Sequence, residues 1–96
     1  MIHDVPLDKD YTILLTKLYH KHYGKNKDTA ISRDITEYHY CFNNIGCMLH
    51  HMNIQQVFLP IILRLNGLKD TMCYKSNILL PSDDFAQEFL QEVKGN

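Results

Sequence analysis

Residues 53–68 read Asn-Ile-Gln-Gln-Val-Phe-Leu-Pro-Ile-Ile-Leu-Arg-Leu-Asn-Gly-Leu, and this stretch decides the fold. Asn53 is a residue type that caps the start of a helix, and apolar side chains follow it at helical spacing. Asn66-Gly67-Leu68 is typical of a helix end, because glycine adopts the left-handed conformation there at little cost. The stretch therefore predicts a helix that begins after Asn53 and ends near Asn66.

Pro60 complicates this helix. Proline has no N–H to donate, and inside a helix its ring collides with the carbonyl four residues earlier, here that of Gln56. Two solutions remain open. Either the helix is kinked between Gln56 and Pro60, or residues 54–58 form a separate turn and a new helix starts with Pro60 in its first position.

Towards the N-terminus, the sequence predicts a helix from Asp8 to Tyr23. Asp8 is a good N-cap, and Gly24 is expected to end the helix in the left-handed conformation. Residues 24–30 have the composition of a loop. The predicted buried stripe of the helix consists of Tyr11, Leu14, Leu15, Leu18 and His22.

Residues 31–52 allow two interpretations. Their apolar residues recur in steps of four and three, which predicts one long helix capped by Ser32. The alternative is two helices, at residues 32–41 and 44–51, with Asn43 or Asn44 capping the second. We favour two helices, because Gly46 alone disfavours an unbroken helix by about 1 kcal/mol relative to alanine.

After Gly67 the pattern changes to β-structure. Residues 68–74 and 78–80 are expected to pair as a short hairpin with Lys75–Asn77 at its tip. Ser82 is expected to cap a terminal helix whose first turn carries Asp83 and Asp84. The fold class predicted for residues 1–96 is a single α+β domain, small and mostly helical, with a short β-hairpin.

Residues 43–93 resemble the winged helix-turn-helix superfamily. Residues 52–68, Met-Asn-Ile-Gln-Gln-Val-Phe-Leu-Pro-Ile-Ile-Leu-Arg-Leu-Asn-Gly-Leu, are similar to the turn and recognition helix. Residues 77–90, Asn-Ile-Leu-Leu-Pro-Ser-Asp-Asp-Phe-Ala-Gln-Glu-Phe-Leu, are similar to a second wing strand that leads into a terminal helix. The chain departs from the pattern at Pro60 and in residues 25–43, which are longer than a minimal domain needs.

Composition is that of an ordinary globular protein. The chain has 96 residues, 45% hydrophobic and 22% charged, and a net charge of −1. Its three cysteines form no even disulfide framework, and its N-terminus lacks the basic and apolar segments of a signal peptide. We expect a soluble cytoplasmic protein that spans no membrane and takes no small-molecule substrate.

Charge is unevenly distributed along the chain. The local net charge is +4 between Lys17 and Arg33 and −4 between Ser82 and Val93. The basic segment either is a solvated helix end and loop or presents one face to an acidic partner. The candidate basic patch comprises Lys17, Lys21, Lys25, Lys27 and Arg33.

The resemblance implies that the helix after Asn53 would read the major groove of DNA. Asparagine and glutamine amides pair with adenine through two hydrogen bonds, and lysine and arginine contact phosphates. The candidate DNA-binding residues are Asn53, Gln55, Gln56, Arg64, Lys69 and Lys75.

A binding function directed at proteins competes with DNA binding. The chain is almost neutral, whereas DNA-binding domains usually carry a basic face. Tyr38, Tyr40 and Phe42 are aromatic types that are enriched in protein interfaces. We therefore expect a small regulatory or adaptor protein that binds a protein partner or a second copy of itself, with DNA binding as the alternative.

Metal binding and catalysis lack a complete set of residues. Cys47 precedes His50 and His51 by three and four positions, so a thiol and an imidazole can share one helix face. No second ligand pair completes a four-ligand zinc site, and no nucleophile with a base and an orienting group can be recognised. We expect no metal, no cofactor and no catalytic residue.

Overall fold

Helices and two short strands alternate along residues 9–95, the part of the chain that the computed structural model describes. None of the helices that it describes is long and apolar enough to cross a membrane. In chain order the elements are α1 (Thr12–Tyr23), β1 (Ile31–Asp34), a 3₁₀ helix (Thr36–Cys41), α2 (Ile45–His51), a second 3₁₀ helix (Gln56–Phe58), α3 (Leu59–Leu65), β2 (Asn77–Leu80) and α4 (Asp83–Gly95).

Helix α1 is confirmed and ends at Tyr23 as predicted, but it begins later than predicted and the glycine that follows it has a different conformation. It begins at Thr12, whose N–H donates to the Asp10 carboxylate at 2.9 Å; Asp8 lies outside the described residues. Gly24 ends the helix with a φ of −64°, so the left-handed conformation predicted there is wrong. Glycine is needed at this position for space, since a Cβ would lie 2.4 Å from the carbonyl oxygen of His20.

Residues 31–52 form neither one long helix nor the predicted helix 32–41. Ile31–Asp34 is a strand and Thr36–Cys41 is a 3₁₀ helix. The prediction failed because β2 supplies a strand partner from the far end of the chain, and tertiary pairing overrides a weak local helix signal. The second predicted helix is confirmed as α2, with Asn44 as its N-cap accepting the Cys47 N–H at 3.0 Å.

The restarted helix around Pro60 is also confirmed. A 3₁₀ turn precedes α3, and Pro60 lies in the first turn of α3, where its missing N–H would have no helical partner. At the other end Gly67 has a φ of +66°, and the Leu68 N–H donates to the Leu63 carbonyl at 2.9 Å. This is the Schellman arrangement that Asn66-Gly67-Leu68 predicts.

Asn53 does not cap the helix that follows it. It has a φ of +60° and ends α2, because the Ile54 N–H donates to the Leu49 carbonyl at 2.9 Å. The geometry repeats the Schellman arrangement at the end of α3, with asparagine in the left-handed position. A residue type that favours helix starts also tolerates helix ends, and local sequence does not distinguish the two roles.

The predicted hairpin of residues 68–74 with 78–80 is wrong. Instead, β2 pairs antiparallel with β1, and Ile31 lies opposite Leu80 while Asp34 lies opposite Asn77. The segment before β2 pairs elsewhere: the Cys73 N–H donates to the Asn43 carbonyl at 2.8 Å. The sheet therefore joins two segments that are far apart in the sequence, with α2 and α3 between them.

The core includes buried side chains from all four α-helices and is rich in aromatic rings. The ring centres of Phe58 and Phe89 are 5.3 Å apart, and the stacked rings of Tyr23 and Phe85 are 5.8 Å apart. Helix α4 begins after Ser82 as predicted: the Ser82 hydroxyl accepts the Phe85 N–H at 3.3 Å. The same serine donates its N–H to the Tyr23 hydroxyl at 2.9 Å, which ties α4 to α1.

Asn66 joins α3 to β2 through its buried carboxamide. The amide oxygen accepts the Leu79 N–H at 2.7 Å, and the amide nitrogen donates to the Leu79 carbonyl at 2.9 Å and to the Ile62 carbonyl at 2.6 Å. Leu79 lies opposite Ser32 at a position whose backbone groups point away from β1. Asn66 therefore satisfies the open edge of β2 where a third strand would otherwise pair.

Replacing Asn66 with alanine is expected to lower the free energy of unfolding by about 2–3 kcal/mol, because both backbone groups of Leu79 lose their partner. Urea denaturation followed by circular dichroism measures the change. Asn77→Ala, at an exposed asparagine of the same strand, is the matched control and should shift stability by less than about 0.5 kcal/mol. Equal effects of the two substitutions would contradict the role assigned to Asn66.

Candidate functional site

The candidate DNA-binding residues do not form a free polar face. The Gln56 amide donates to the Gly46 carbonyl at 2.8 Å, and the Arg64 guanidinium lies 4.6 Å above the centre of the Tyr19 ring. The Lys75 ammonium donates to the Asn66 carbonyl at 3.0 Å, and the hairpin whose tip Lys75 was predicted to occupy is replaced by the pairing of β2 with β1. Asn53 and Lys69 are exposed, whereas Gln55 is half-buried.

The candidate basic patch is similarly dispersed. Lys17 and Lys25 are exposed, but the Lys27 ammonium donates to the Leu65 carbonyl at 2.8 Å. The Arg33 guanidinium donates to the Tyr38 hydroxyl at 2.8 Å. Lys27 therefore binds at the negative end of the α3 dipole, as Lys75 does at the adjacent carbonyl of Asn66, and both lysines stabilise the end of this helix.

The basic and acidic segments of the sequence meet in the structure. The Lys21 ammonium lies 2.6 Å from the Glu88 carboxylate, and His22 contacts the other oxygen of that carboxylate at 2.9 Å. The hydrogen bonds from Lys21 and His22 lower the pKa of Glu88 below its ordinary value. Glu88 of α4 thus neutralises part of the positive charge of residues 17–33, which weakens the attraction of this segment for a polyanion.

The three aromatic residues predicted to form a protein interface separate into buried and exposed ones. Tyr38 is only 7% exposed and belongs to the core, so its inclusion in an exposed surface is wrong. Its hydroxyl reaches out to Arg33, which explains how a polar ring is accommodated there. Tyr40 is 47% exposed and Phe42 is 81% exposed.

Two further exposed residues with large side chains lie on the segment that is hydrogen-bonded to the backbone next to Phe42. Met72 is 39% exposed and Tyr74 is 78% exposed, while Cys73 between them is buried. The hydrogen bond from Cys73 to Asn43 brings the two backbones together, so Phe42 and Tyr74 flank the same bonded pair. We call Phe42, Met72 and Tyr74 the Phe42 patch. Alternating burial along Met72, Cys73 and Tyr74 is typical of a strand. The position of this segment beside Phe42, however, results from tertiary structure and could not be predicted from the local sequence.

The backbone at Phe42 is unusual. Phe42 has a φ of +54° and Asn43 has a φ of +64°, so two consecutive residues adopt the left-handed conformation. For a residue with a Cβ this conformation costs about 1–2 kcal/mol. Asparagine often adopts it, whereas phenylalanine rarely does. The turn is held by the hydrogen bonds of Asn43 and Asn44 to the segment at residues 71–73.

A second group of chemically active side chains lies beneath this turn. The sulfur atoms of Cys41 and Cys47 are 2.8 Å apart. One donor atom each from Cys41, Cys47 and His51 lies within 4.8 Å of the other two. Helical spacing in the sequence placed Cys47 near a histidine of α2, but it did not indicate that Cys41 joins them. Cys41 and Cys47 lie on different helices with a turn between them, so helical spacing does not predict their proximity.

Burial distinguishes the three members of this group. Cys41 is buried, Cys47 is half-buried and His51 is exposed. Burial raises the pKa of the Cys41 thiol to about 11, and the hydrogen bond from Cys47 adds to the effect. The Tyr40 ring stands edge-on to the His51 ring at 4.9 Å and so limits the orientation of the imidazole.

A cleft of about 290 Å³ lies between the end of α3 and β2. Its lysines, Lys27 and Lys75, already donate to the carbonyl oxygens of Leu65 and Asn66. The volume is at the lower limit of ligand pockets, which are usually about 300–1,000 Å³. The cleft therefore offers a weaker candidate site than the Phe42 patch or the cysteine–histidine group.

The chain matches no protein-family model, no curated protein and no solved structure.

Glu88→Gln is expected to flatten the acid side of the stability profile. In the wild type the lowered pKa of Glu88 means that the carboxylate stabilises the fold fully above its ordinary pKa of 4.5, and that this stabilisation is lost as pH falls through the lower folded value. Urea midpoints measured between neutral pH and about pH 3 test this. Asp28→Asn controls for the removal of one carboxylate. A Glu88→Gln profile parallel to that of the wild type would contradict the assignment.

Proposed function

We propose that the protein is a small non-enzymatic regulator or adaptor that binds a protein partner through the Phe42 patch, on a winged-helix-like scaffold. The observation that carries the proposal is Phe42 itself: a large apolar ring is 81% exposed and is held there by a left-handed backbone. The arrangement is unfavourable for the isolated domain. It is useful if the ring is buried when a partner binds.

The order of elements supports the winged-helix part of the proposal. Helix α1 and strand β1 precede the helix pair α2 and α3, and β1 pairs antiparallel with the strand that follows α3. The terminal helix α4 then packs against α1. A winged-helix domain has the same order up to β2, with the helix pair between strands of one sheet. Its wing is a two-stranded hairpin after the second helix of the pair, whereas the described part of this chain has one strand there. Such a scaffold does not fix function, which depends on the surface it displays.

The composition of the Phe42 patch supports protein binding. Phenylalanine, tyrosine and methionine are enriched at the centres of protein interfaces, where charged residues are depleted. Aromatic side chains in such positions contribute a large share of the binding free energy. The strained turn adds to this argument, because unfavourable backbone conformations cluster at sites where function retains them.

A photoreactive benzoylphenylalanine placed at position 42 is expected to form a discrete crosslinked species in cells. The benzoyl group extends the phenylalanine ring from its para position, and the exposed side chain at position 42 would bring it into contact with the partner. The same label at position 13, an isoleucine that is 87% exposed on α1, is the matched control. Mass spectrometry of the crosslinked species identifies the partner, including a second copy of this chain. Equal labelling from both positions, or none from position 42, would contradict the proposal.

Phe42→Gly separates binding from folding. Glycine adopts the left-handed conformation freely, so the substitution is expected to raise the free energy of unfolding by about 0.5–1 kcal/mol. The same variant should lose partner binding, measured by co-purification with the partner that the crosslink identifies. A variant that is more stable and still binds would show that the Phe42 ring is not part of the interface.

DNA binding remains the second candidate, supported by the helix pair and by the exposed residues at the turn between α2 and α3. For the protein-binding proposal we expect no salt-sensitive retention on heparin and no binding to random duplex DNA at about 50 mM salt, a condition that favours phosphate contacts. Gln55→Ala, Gln56→Ala and Arg64→Ala combined provide the test variant. Gln87→Ala with Gln91→Ala, at exposed glutamines of α4, is the control. Salt-sensitive binding that only the first variant loses would favour the DNA-binding alternative.

A further inference from the structure

We infer that Cys41, Cys47 and His51 form a binding site for a soft or borderline divalent cation, with Zn²⁺ as the natural occupant. The site supplies two sulfur donors and one imidazole nitrogen, whose positions lie within 4.8 Å of one another. It is distinct from the Phe42 patch and does not depend on the partner proposed above.

Two features of the backbone bring the three side chains together. On α2, Cys47 and His51 are separated by four residues, so they lie on the same face of the helix, one turn apart. Cys41 is the last residue of the 3₁₀ helix, and the left-handed residues after it reverse the chain towards the start of α2. The Cys41 sulfur therefore faces the Cys47 sulfur across the turn.

The donor set matches the chemistry of zinc. Thiolates and imidazoles are its usual protein ligands, and soft thiolates disfavour Mg²⁺ and Ca²⁺, which prefer oxygen. Two Zn–S bonds of about 2.3 Å at a tetrahedral angle place the sulfur atoms about 3.8 Å apart. The sulfur atoms are now 2.8 Å apart, so metal binding requires them to separate by roughly 1 Å, a change that side-chain rotation supplies.

The surroundings also suit a metal ligand set. Cys41 is buried at the base of the site, whereas His51 is exposed at its mouth. Because His51 is exposed, an ion can reach its imidazole from solvent, and water would complete the coordination of an ion held by these three side chains. The Tyr40 ring packs against the His51 ring in a T-shaped arrangement with the ring centres 4.9 Å apart, which restricts rotation of the imidazole.

Cobalt titration of the reduced full-length chain under anaerobic conditions tests the inference. Cobalt(II) replaces zinc in tetrahedral sites and gives visible d–d bands together with a thiolate-to-cobalt charge-transfer band. We expect these bands to saturate at one ion per chain and to disappear when zinc is added. Elemental analysis of protein expressed with added zinc should also find one zinc per chain.

Cys47→Ser and His51→Asn are the main test variants, because these positions are half-buried and exposed and tolerate substitution better than Cys41. Each should weaken cobalt binding at least about tenfold, and Cys47→Ser should also reduce the charge-transfer intensity. His20→Asn, at an exposed histidine of α1, is the matched control for loss of an imidazole, and Cys73→Ala is the control for loss of a thiol away from the site. Because Cys73 is buried, alanine is chosen so that no unpaired hydroxyl enters the core, and circular dichroism verifies that every variant is folded.

Three results would overturn the inference. The first is a wild-type chain that remains without cobalt bands in reductant. The second is binding that Cys47→Ser and His51→Asn leave unchanged. The third is a control variant that weakens binding as strongly as the test variants. Because none of these measurements requires a partner protein, their failure is distinguishable from failure of the proposed function.

Discussion

The carboxamide of Asn66 is the contact on which the arrangement of the other elements depends. A two-stranded sheet has open edges, and the outward backbone groups of Leu79 must be satisfied before β2 can be buried. Asn66 satisfies both groups while its donor also bonds the last turn of α3. It thereby fixes the strand against the helix. The position of β2 then sets that of β1 through the antiparallel register and that of α4 through the short link at Ser82.

Residues that cap or terminate helices predicted much of the helical structure. Asn44 and Ser82 cap helices through side-chain oxygen atoms, and Gly67 ends one through its left-handed backbone. Each of these capping interactions joins residues only a few positions apart, so the local sequence is enough to predict it. The pairing of β1 with β2 could not be predicted in this way, because the local signal of each strand is weak and strand formation depends on tertiary packing.

The candidate sites were harder to predict for a related reason. Phenylalanine rarely adopts a left-handed conformation, so nothing at Phe42 indicates the turn that exposes it. The segment at residues 71–73 imposes that conformation through backbone hydrogen bonds from a distant part of the chain. The same turn also brings the free thiols of Cys41 and Cys47 close together. The aromatic character of residues 38–42 was visible in the sequence, but the division between the buried Tyr38 and the exposed Phe42 was not.

One strained turn thus lies between the two proposed sites. Phe42 and Asn43 direct the aromatic ring outwards, and the same reversal brings the thiols together on the inner side. A cation bound by Cys41 and Cys47 would link the two ends of the turn and reduce the number of conformations available to it. Ordering an interface before association lowers the entropic cost of binding. The two sites are therefore physically coupled if both are occupied, and thermodynamic linkage requires that any gain in partner affinity from the metal be matched by an equal gain in metal affinity from the partner.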